Sequence, residues 1–236
     1  MATHQYEDLP RLLDLMTGDG KHDAASASTL DVLWVLYRHV LRIDPRRPDE
    51  PDRDRFLLSK GHGPTAYYAV LAAHGFLAEQ QLSSFGRFDS PLGHHPDRTL
   101  LPGVEIGSGS LGHGLGLGVG MALALRAQGR NRPRVVVLVG DGELDEGSNH
   151  EAIAFAGAVG LAALTVVVVD NGSARYRPAG GPAGWFATAG WSVAEVDGRN
   201  HAALITALAD HRQDSTRPAP AAVIARVQDR NHEQAA

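Results

Sequence analysis

The sequence predicts an α/β fold in which a mainly parallel sheet carries helices on both faces. Residues 135–139 and 164–169 are continuous runs of apolar and β-branched side chains, without the alternation typical of a strand that has one wet face. From residue 133 onward, strand-like and helix-like patterns also alternate along the chain. Such βαβ units form parallel strands that are joined by right-handed crossovers.

The elements of the first half follow from helical spacing, turn residues and polar connections. Ser28 or Thr29 is the expected N-cap of the first helix. The segment DPRRPDEPDRD then forms an exposed connection. The predicted elements are a helix over 29–43, a strand over 55–59, a helix over 61–75, an irregular stretch over 86–106 and a glycine-spotted helix over 110–128.

The second half carries the regular alternation. Its predicted elements are a strand over 134–139, a helix over 148–160, a strand over 164–169, a short helix over 183–190, a strand over 192–196, a helix over 200–211 and a strand over 221–227. A chain of 236 residues can bury one sizeable core. We therefore expect a single domain over 1–236, with its core at about 20–227 and a polar tail at 228–236.

Composition excludes several classes of function. A formal net charge of −5 argues against a nucleic acid partner. The chain contains no cysteine, which excludes disulfides, thiolate nucleophiles and cysteine-ligated metal centres. No signal-peptide pattern is visible and no apolar run approaches the roughly 20 residues that span a bilayer, so we expect a cytoplasmic protein without a membrane partner.

A glycine pattern at 107–112 matches G-x-G-x-x-G, which is typical of dinucleotide-binding sites. The segment before it is barely strand-like, and no acidic residue lies about 20 positions further on. With 27 glycines in the chain, chance matches are easy. A nicotinamide site is therefore disfavoured.

Polar side chains follow two strands of the predicted sheet. Asp141 follows the strand over 134–139 within the stretch LVGDGELDEG, and Asp170 and Asn171 follow the strand over 164–169. Ligands of parallel sheets bind at the carboxyl ends of strands, and Mg²⁺ or Ca²⁺ prefers oxygen ligands. The sequence thus predicts a metal that a bound diphosphate shares. The acids could instead stabilise the start of a helix, and the residues alone leave both interpretations open.

Four histidines lie in glycine-rich turns, where side chains protrude from loops. Imidazole suits proton transfer near neutral pH and hydrogen bonding to phosphates or hydroxyls. A single loop histidine is usually just exposed, so this chemistry requires that several of them converge. The four residues are His22, His62, His95 and His113.

Taken together and in order, these motifs resemble the transketolase family, and more narrowly the separately encoded N-terminal subunit of a split transketolase. The similarity covers most of residues 20 to 227. The stretches that carry it are LRIDPRRPDEPDRDRFLLSKGHGPTAYYAVLAAHGF, GHHPDRTLLPGVEIGSGSLGHGLGLGVGMALAL, VVVLVGDGELDEGSNHEAIAFAGAVGLAALTVVVVDN and GWSVAEVDGRNHAAL.

The resemblance implies a thiamine-diphosphate-binding fold, and with it a cofactor site for thiamine diphosphate and Mg²⁺ or Ca²⁺. Asp141, Asn171 and the backbone carbonyl of Ser173 match the family's metal ligands. Gly142 matches the glycine whose N–H meets the diphosphate. Two further cofactor-binding positions, beside the diphosphate and the thiazolium ring, are matched by Gly109 and Leu111.

Residues that handle the reaction are implied in the same way. His62 matches a histidine near the diphosphate and the reactive carbon, and both His22 and His95 match histidines that contact substrate hydroxyls. Glu146 matches an acid at the subunit interface. The pyrimidine-binding domain of the family is missing here. The resemblance therefore implies a separate C-terminal partner subunit in an α2β2 assembly, and a sugar or keto compound as substrate.

Three departures from the family pattern favour an altered donor or acceptor in specialised metabolism. The turn around His22 reads GKHDAASAS instead of a GHPGG-like sequence, and Arg175 takes a position that is normally apolar. The glycine-rich segment with a further histidine that follows the last strand of the family has no counterpart that aligns. Two alternatives stay open: an α-subunit of a 2-oxo acid dehydrogenase, and a non-catalytic partner module.

Overall fold

The computed structural model describes residues 4–17, 23–176, 180–209 and 218–227. In these ranges five strands form one sheet in the order β1-β2-β3-β5-β4, and every neighbouring pair is parallel. The strands are β1 (Arg55–Leu58), β2 (Val135–Gly140), β3 (Leu164–Asp170), β4 (Ser192–Asp197) and β5 (Ala221–Arg226).

Seven α-helices accompany the sheet in the described ranges. They are α1 (Leu9–Asp14), α2 (Asp23–Val35), α3 (Thr65–Ala73), α4 (His113–Ala127), α5 (Gly147–Ala158), α6 (Ala183–Thr188) and α7 (His201–Ala207). A π-helical turn, Leu36–Val40, follows α2 directly. The described ranges also contain three short 3₁₀-helices: Tyr6–Asp8, Glu79–Ser84 and Gly142–Asp145. Among the helices of the described ranges, none has the length and apolar character needed to cross a bilayer.

The predicted α/β class with a mainly parallel sheet is confirmed, and each predicted strand is present within one or two residues of its expected bounds. One expectation about the first helix is wrong. Ser28 and Thr29 do not cap it, because α2 already runs from Asp23 and both hydroxyls donate back to the carbonyl of Ala25 inside the helix. This back-bonding within a turn is common for mid-helix Ser and Thr.

The sheet separates two hydrophobic cores because successive side chains of a strand point to opposite faces. On β2, Val136 and Leu138 join the core formed with α1, α2, α3 and α7. Val135, Val137 and Val139 join the core formed with α4, α5 and α6. All five side chains have no solvent exposure. The continuous apolar runs of the sequence therefore reflect strands that are covered on both faces, as expected.

The two central strands end side by side. Gly140 at the end of β2 pairs in register with Val169 near the end of β3. Asp141 and Asn171 come directly after these two strands. The fold thereby places both residues at one edge of the sheet, next to the start of the 3₁₀-helix that precedes α5.

Candidate functional site

Asp141 is fully buried at the turn after β2, and the loop after β3 holds its carboxylate. The hydroxyl of Ser173 donates to its Oδ1 at 2.6 Å, and the N–H of Ala174 donates to its Oδ2 at 3.0 Å. Burial alone would raise the pKa of Asp141, but these hydrogen bonds, with those from Gly142 and Asp170, bring the pKa below the ordinary value. The group is therefore an anionic carboxylate at neutral pH.

Asn171 offers an unsatisfied oxygen beside this carboxylate. Its Oδ1 is buried and has no hydrogen-bond partner among the described residues. An acceptor of this kind costs roughly 1–3 kcal/mol of desolvation free energy unless something binds it. The amide oxygen is thus suited to a ligand that comes from outside the chain.

Gly142 lies against the third expected ligand. A Cβ at this position would come within 3.1 Å of the Ser173 hydroxyl oxygen and 3.5 Å of the Ser173 carbonyl oxygen. Glycine thus permits the two turns to approach one another. The turn after β2 thus lies in contact with the loop after β3 that contains Asn171 and Ser173.

This donor set fits a hard divalent cation. It consists of one carboxylate, one amide oxygen and one carbonyl oxygen, which are the ligand types that Mg²⁺ and Ca²⁺ prefer. The described residues contain no group of three or more His, Asp or Glu side chains that could hold a metal. The two turns therefore carry the donor types of the predicted metal site, and phosphate oxygens are further ligands that such cations accept.

The side chains of Glu143 and Asp145 accept hydrogen bonds from neighbouring loops. The carboxylate of Glu143 is buried and accepts hydrogen bonds from the Ser59 hydroxyl, from the N–H of Gly112 at 3.0 Å and from the N–H of Gly140 at 3.3 Å. Burial raises the pKa of Glu143, although these hydrogen bonds oppose the shift. The carboxylate of Glu143 thus joins neighbouring turns and contacts the N-cap residue of α4, Gly112.

Asp145 holds the loop that departs from the family pattern. Its carboxylate accepts hydrogen bonds from the backbone N–H groups of Arg175 at 2.9 Å and Tyr176 at 3.3 Å. The side chains of both residues are exposed. The altered segment is therefore tied to the turn after β2 by its backbone, and the guanidinium group of Arg175 does not replace a buried apolar contact.

Lys60 was not predicted as part of this region. Its ammonium group donates to the carbonyl of Ala25 at 3.0 Å and to the hydroxyl of Thr29 at 3.1 Å, both on α2. Burial lowers the pKa of Lys60 to about 8, although attraction to Asp141 and Glu143 opposes the shift. A partly buried cation therefore lies between α2 and the acidic turn.

Two of the predicted histidines converge. The rings of His62 and His95 lie edge to face with their centroids 5.4 Å apart. Gly109 adopts a left-handed φ of +129°, and a Cβ there would come within 2.6 Å of the His95 ring. A Cβ at Gly61 would likewise come within 2.8 Å of the N–H nitrogen of Gly109. The SKGHG, GHHP and GSGS segments thus form one packed cluster of turns.

The remaining predicted residues lie in different settings. Leu111 is half-buried just before α4, whereas His113 at the first turn of α4 and Glu146 before α5 are exposed. His22 lies outside the described residues. The structure therefore brings His62 and His95 together, and it places His113 on the surface.

The sequence did not predict that Ser59, Lys60 and Glu143 join separate segments of the chain through hydrogen bonds. The hydroxyl of Ser59 donates to Glu143 and accepts from the N–H of Gly114 at 3.0 Å, which links the turn after β1 to the start of α4. The signals were present as a lysine and four acids in two turns, SKGHG and GDGELDEG. The directions in which these side chains point depend on tertiary contacts, which no local sequence pattern encodes.

A parallel sheet with glycine-rich turns at the carboxyl ends of its strands is the architecture of cofactor-binding α/β proteins. A sequence model of the family described as "Transketolase, thiamine diphosphate binding domain" matches residues 14–227. The chain therefore belongs to the transketolase family and comprises its thiamine diphosphate binding domain. The predicted resemblance is confirmed at this level.

Individual relatives extend this result. The chain is 53% identical over 222 residues, 94% of its length and 72% of the relative, to a protein named "Ferredoxin fas2" from Rhodococcoides fascians. It is 34% identical over 203 residues, 84% of its length and 74% of the relative, to "6-deoxy-6-sulfo-D-fructose transketolase subunit SqwG" from a Clostridium species.

Solved transketolases share the fold. The structure superposes on a transketolase from Leishmania mexicana with a TM-score of 0.75 and 27% identity, covering 95% of this chain and 36% of that one. The chain thus spans about a third of that solved transketolase. The match does not extend to the other residues of that enzyme.

Proposed function

We propose that this chain is the diphosphate- and metal-binding subunit of a thiamine-diphosphate-dependent, transketolase-like enzyme. It would transfer a two-carbon ketol unit from a ketose to an aldehyde, and it would act only with a separate pyrimidine-binding subunit. The observation that carries the proposal is the buried, unpartnered Oδ1 of Asn171 beside the carboxylate of Asp141 in a member of this family.

Three oxygens would hold the metal: the carboxylate of Asp141, the amide oxygen of Asn171 and the carbonyl of Ser173. Mg²⁺ is the cation we expect, with Ca²⁺ as a substitute. The hydrogen bonds that lower the pKa of Asp141 keep its carboxylate anionic, so it can bind a cation without first losing a proton. Bound thiamine diphosphate supplies a nucleophilic carbon that attacks a ketose carbonyl and stabilises the resulting negative charge.

Backbone groups of this chain would complete the cofactor site. The N–H of Gly142 donates to the carboxylate of Asp141, and on the resemblance to the family the diphosphate would share this donor. Gly109 and Leu111 lie in the turn before α4, where the His95 ring packs against the left-handed Gly109. These positions orient the cofactor and exclude water around it.

The histidines would handle the substrate. His62 and His95 lie in ring contact, so their nitrogens can serve adjacent positions of one substrate as hydrogen-bond donors and acceptors. A ketose carbonyl oxygen that gains negative charge is stabilised by such donors, and its neighbouring hydroxyls need acceptors. His22 is proposed as a third member of this set on the resemblance alone.

A second subunit is supported by the surface and by the relatives. The relative from Clostridium is named a transketolase subunit. On this chain, Leu117 of α4 and Phe155 of α5 are 48% and 45% exposed, and Glu146 before α5 is exposed as well. We propose that this apolar face lies in the interface of an α2β2 assembly and that Glu146 links paired sites there.

Reconstitution tests the proposal. The chain, a candidate pyrimidine-binding subunit, Mg²⁺ and thiamine diphosphate are mixed, and aldehyde-dependent ketol transfer is assayed over a panel of ketoses. Asp141→Ala should abolish activity and cofactor binding, whereas Asp49→Ala, which removes an exposed acid in the polar connection, should leave both unchanged. No cofactor binding by the wild-type pair would favour the non-catalytic module instead, and cofactor binding by Asp141→Ala would contradict the proposed metal site.

A second candidate function is favoured by the relative that bears the name ferredoxin. Iron–sulfur clusters are held by cysteine thiolates, and this chain has no cysteine, so any cluster must belong to another polypeptide. In this alternative, the assembled enzyme oxidises a 2-oxo acid with water to a carboxylic acid and CO₂. The two electrons released would reduce two one-electron ferredoxins. Bleaching of added ferredoxin upon addition of a 2-oxo acid would support this alternative over ketol transfer.

A further inference from the structure

A large cavity lies at the amino end of the sheet, opposite the turns described above. Its lining comes from the ends of α4 and α5 and from the connections that precede β2, β3 and β5: Ala122, Arg126, residues 130–132, residues 158–163 and Pro218, together with Arg42. Its volume is about 890 Å³, within the range of sites that take small organic molecules. Both α4 and α5 run from the carboxyl end of the sheet to this cavity.

Four guanidinium groups line the cavity, in a chain whose formal net charge is −5. They belong to Arg42, Arg126, Arg130 and Arg132. The apolar part of the lining, here called the floor, is rich in alanine and consists of Ala122, Ala158, Val159, Leu161, Ala162 and Ala163. Such a site combines guanidinium groups, whose paired N–H donors bind anions, with a surface that favours the apolar part of a ligand.

Arg126 supplies the clearest binding group. It donates one hydrogen bond, to the carbonyl of Val159 at 3.0 Å, and forms no ion pair with an acid in the described part of the chain. Arg130 is paired with Asp52 at 2.7 Å, but that carboxylate is 59% exposed. Exposed pairs of this kind contribute about 0–1 kcal/mol, so an incoming oxyanion can compete for Arg130 as well.

Arg42 is held in place by the fold. Its guanidinium group donates to the buried carboxylate of Asp54 at 2.6 Å and to the carbonyl of Arg132. Arg42 therefore fixes the rim of the cavity, and its charge is already paired with that of Asp54. The combination of one fixed arginine and two available ones is a preorganised site, which lowers the cost of binding.

We propose that this cavity binds a small organic anion, with a phosphate or carboxylate group on Arg126 and Arg130 and an apolar or aromatic body on the alanine-rich floor. Neither residue touches the turns around Asp141. The inference is therefore independent of the proposed ketol transfer.

Fluorescence titration with 1-anilinonaphthalene-8-sulfonate tests the proposal, because this probe is anionic and its emission rises in apolar surroundings. The full chain at low salt should bind the probe saturably. A double variant, R126Q with R130Q, should weaken binding at least tenfold because both charges are removed. Arg46→Gln removes an exposed arginine of the polar connection and should stay within twofold of wild type.

A second variant tests the volume instead of the charge. Ala158→Trp, at the exposed end of α5, should fill part of the cavity and weaken the probe at least fivefold. Displacement by phenyl phosphate at lower concentration than by benzoate would assign the site to a phosphate, and the reverse order to a carboxylate. Unsaturable binding in the wild type, double-variant or Ala158→Trp affinity within twofold of wild type, or no displacement by either competitor would overturn the proposal.

Discussion

The hydroxyl of Ser173 donates a hydrogen bond of 2.6 Å to the carboxylate of Asp141. This bond joins the loop after β3 to the turn after β2 across two neighbouring parallel strands. It also lowers the pKa of Asp141, against the effect of burial. The same two residues are proposed metal ligands, one through its side chain and one through its carbonyl, so the bond positions both of them.

Replacing Ser173 by alanine should weaken metal binding but not abolish it. The carbonyl remains, while the carboxylate loses a donor that stabilises its charge and orientation. A bond of this kind contributes about 1.5–3 kcal/mol when the acceptor is charged, which corresponds to at least a tenfold rise in the Mg²⁺ concentration for half-maximal cofactor binding. Calorimetry on the assembled enzyme at a series of Mg²⁺ concentrations measures this half-maximal concentration. Ser83→Ala, at an exposed 3₁₀-helix, is the control and should change nothing.

Asn171→Leu should separate stability from binding. The substitution removes a buried acceptor that has no partner, so the free energy of unfolding without ligands should stay unchanged or rise by up to about 1 kcal/mol. Binding of Mg²⁺ and thiamine diphosphate should be lost.

Asn200→Ala is the matched control, because its side chain caps α7 by accepting from the N–H of Ala203 at 3.1 Å. It should lose about 1 kcal/mol of stability and keep cofactor binding. Urea unfolding and calorimetry on the same preparations give both quantities. A large loss of stability in Asn171→Leu would contradict the interpretation of Asn171 as a residue that sacrifices stability for binding.

Glu143→Ala should destabilise the chain strongly. It leaves the Ser59 hydroxyl and the N–H groups of Gly112 and Gly140 without their acceptor. Unsatisfied buried donors cost roughly 1–3 kcal/mol each, so we expect a loss of about 3 kcal/mol or more in urea unfolding. Glu151→Ala, an exposed acid on α5, should stay within about 0.5 kcal/mol of wild type. Equal stabilities of the two variants would show that Glu143 does not fasten these loops.

Lys60 should make the stability of the chain depend on pH. Its pKa is lowered in the folded state, from an ordinary 10.5 to about 8, so its contribution is complete above 10.5 and is lost as the pH falls through 8. Between pH 7 and 9.5 the wild type should gain about 2 kcal/mol relative to Lys60→Met. Arg87→Met removes an exposed charge and should show no such pH-dependent difference. Parallel stability curves for wild type and Lys60→Met would contradict the assigned burial.

The strands and the meeting of the two turns that follow β2 and β3 could be predicted because their signals are local. Two apolar runs mark the covered central strands, and Asp141 and Asn171 are the polar residues that end them. Parallel strands bring such ends together whatever the rest of the fold does. The irregular stretch over 86–106 likewise contains no helix or strand in the structure, in keeping with its glycines and prolines.

Other features depend on contacts between distant segments. The helix α1 has six residues, too few for a periodic pattern to reveal. The start of α2 was placed too late because Ser28 and Thr29 resemble caps, although they bond backward inside the helix. The direction of the Glu143 carboxylate is set by Ser59, 84 positions earlier, and by Gly112, 31 positions earlier. No local rule predicts such long-range partners.

The most direct measurement is a crystal structure of the chain with its partner subunit, Mn²⁺ and thiamine diphosphate, with the metal located by its anomalous signal. The account predicts one ion at about 2.1–2.2 Å from a carboxylate oxygen of Asp141, Oδ1 of Asn171 and the carbonyl oxygen of Ser173, with diphosphate oxygens in the remaining positions. An ion or a diphosphate bound elsewhere, with Asn171 Oδ1 still without a partner, would contradict it.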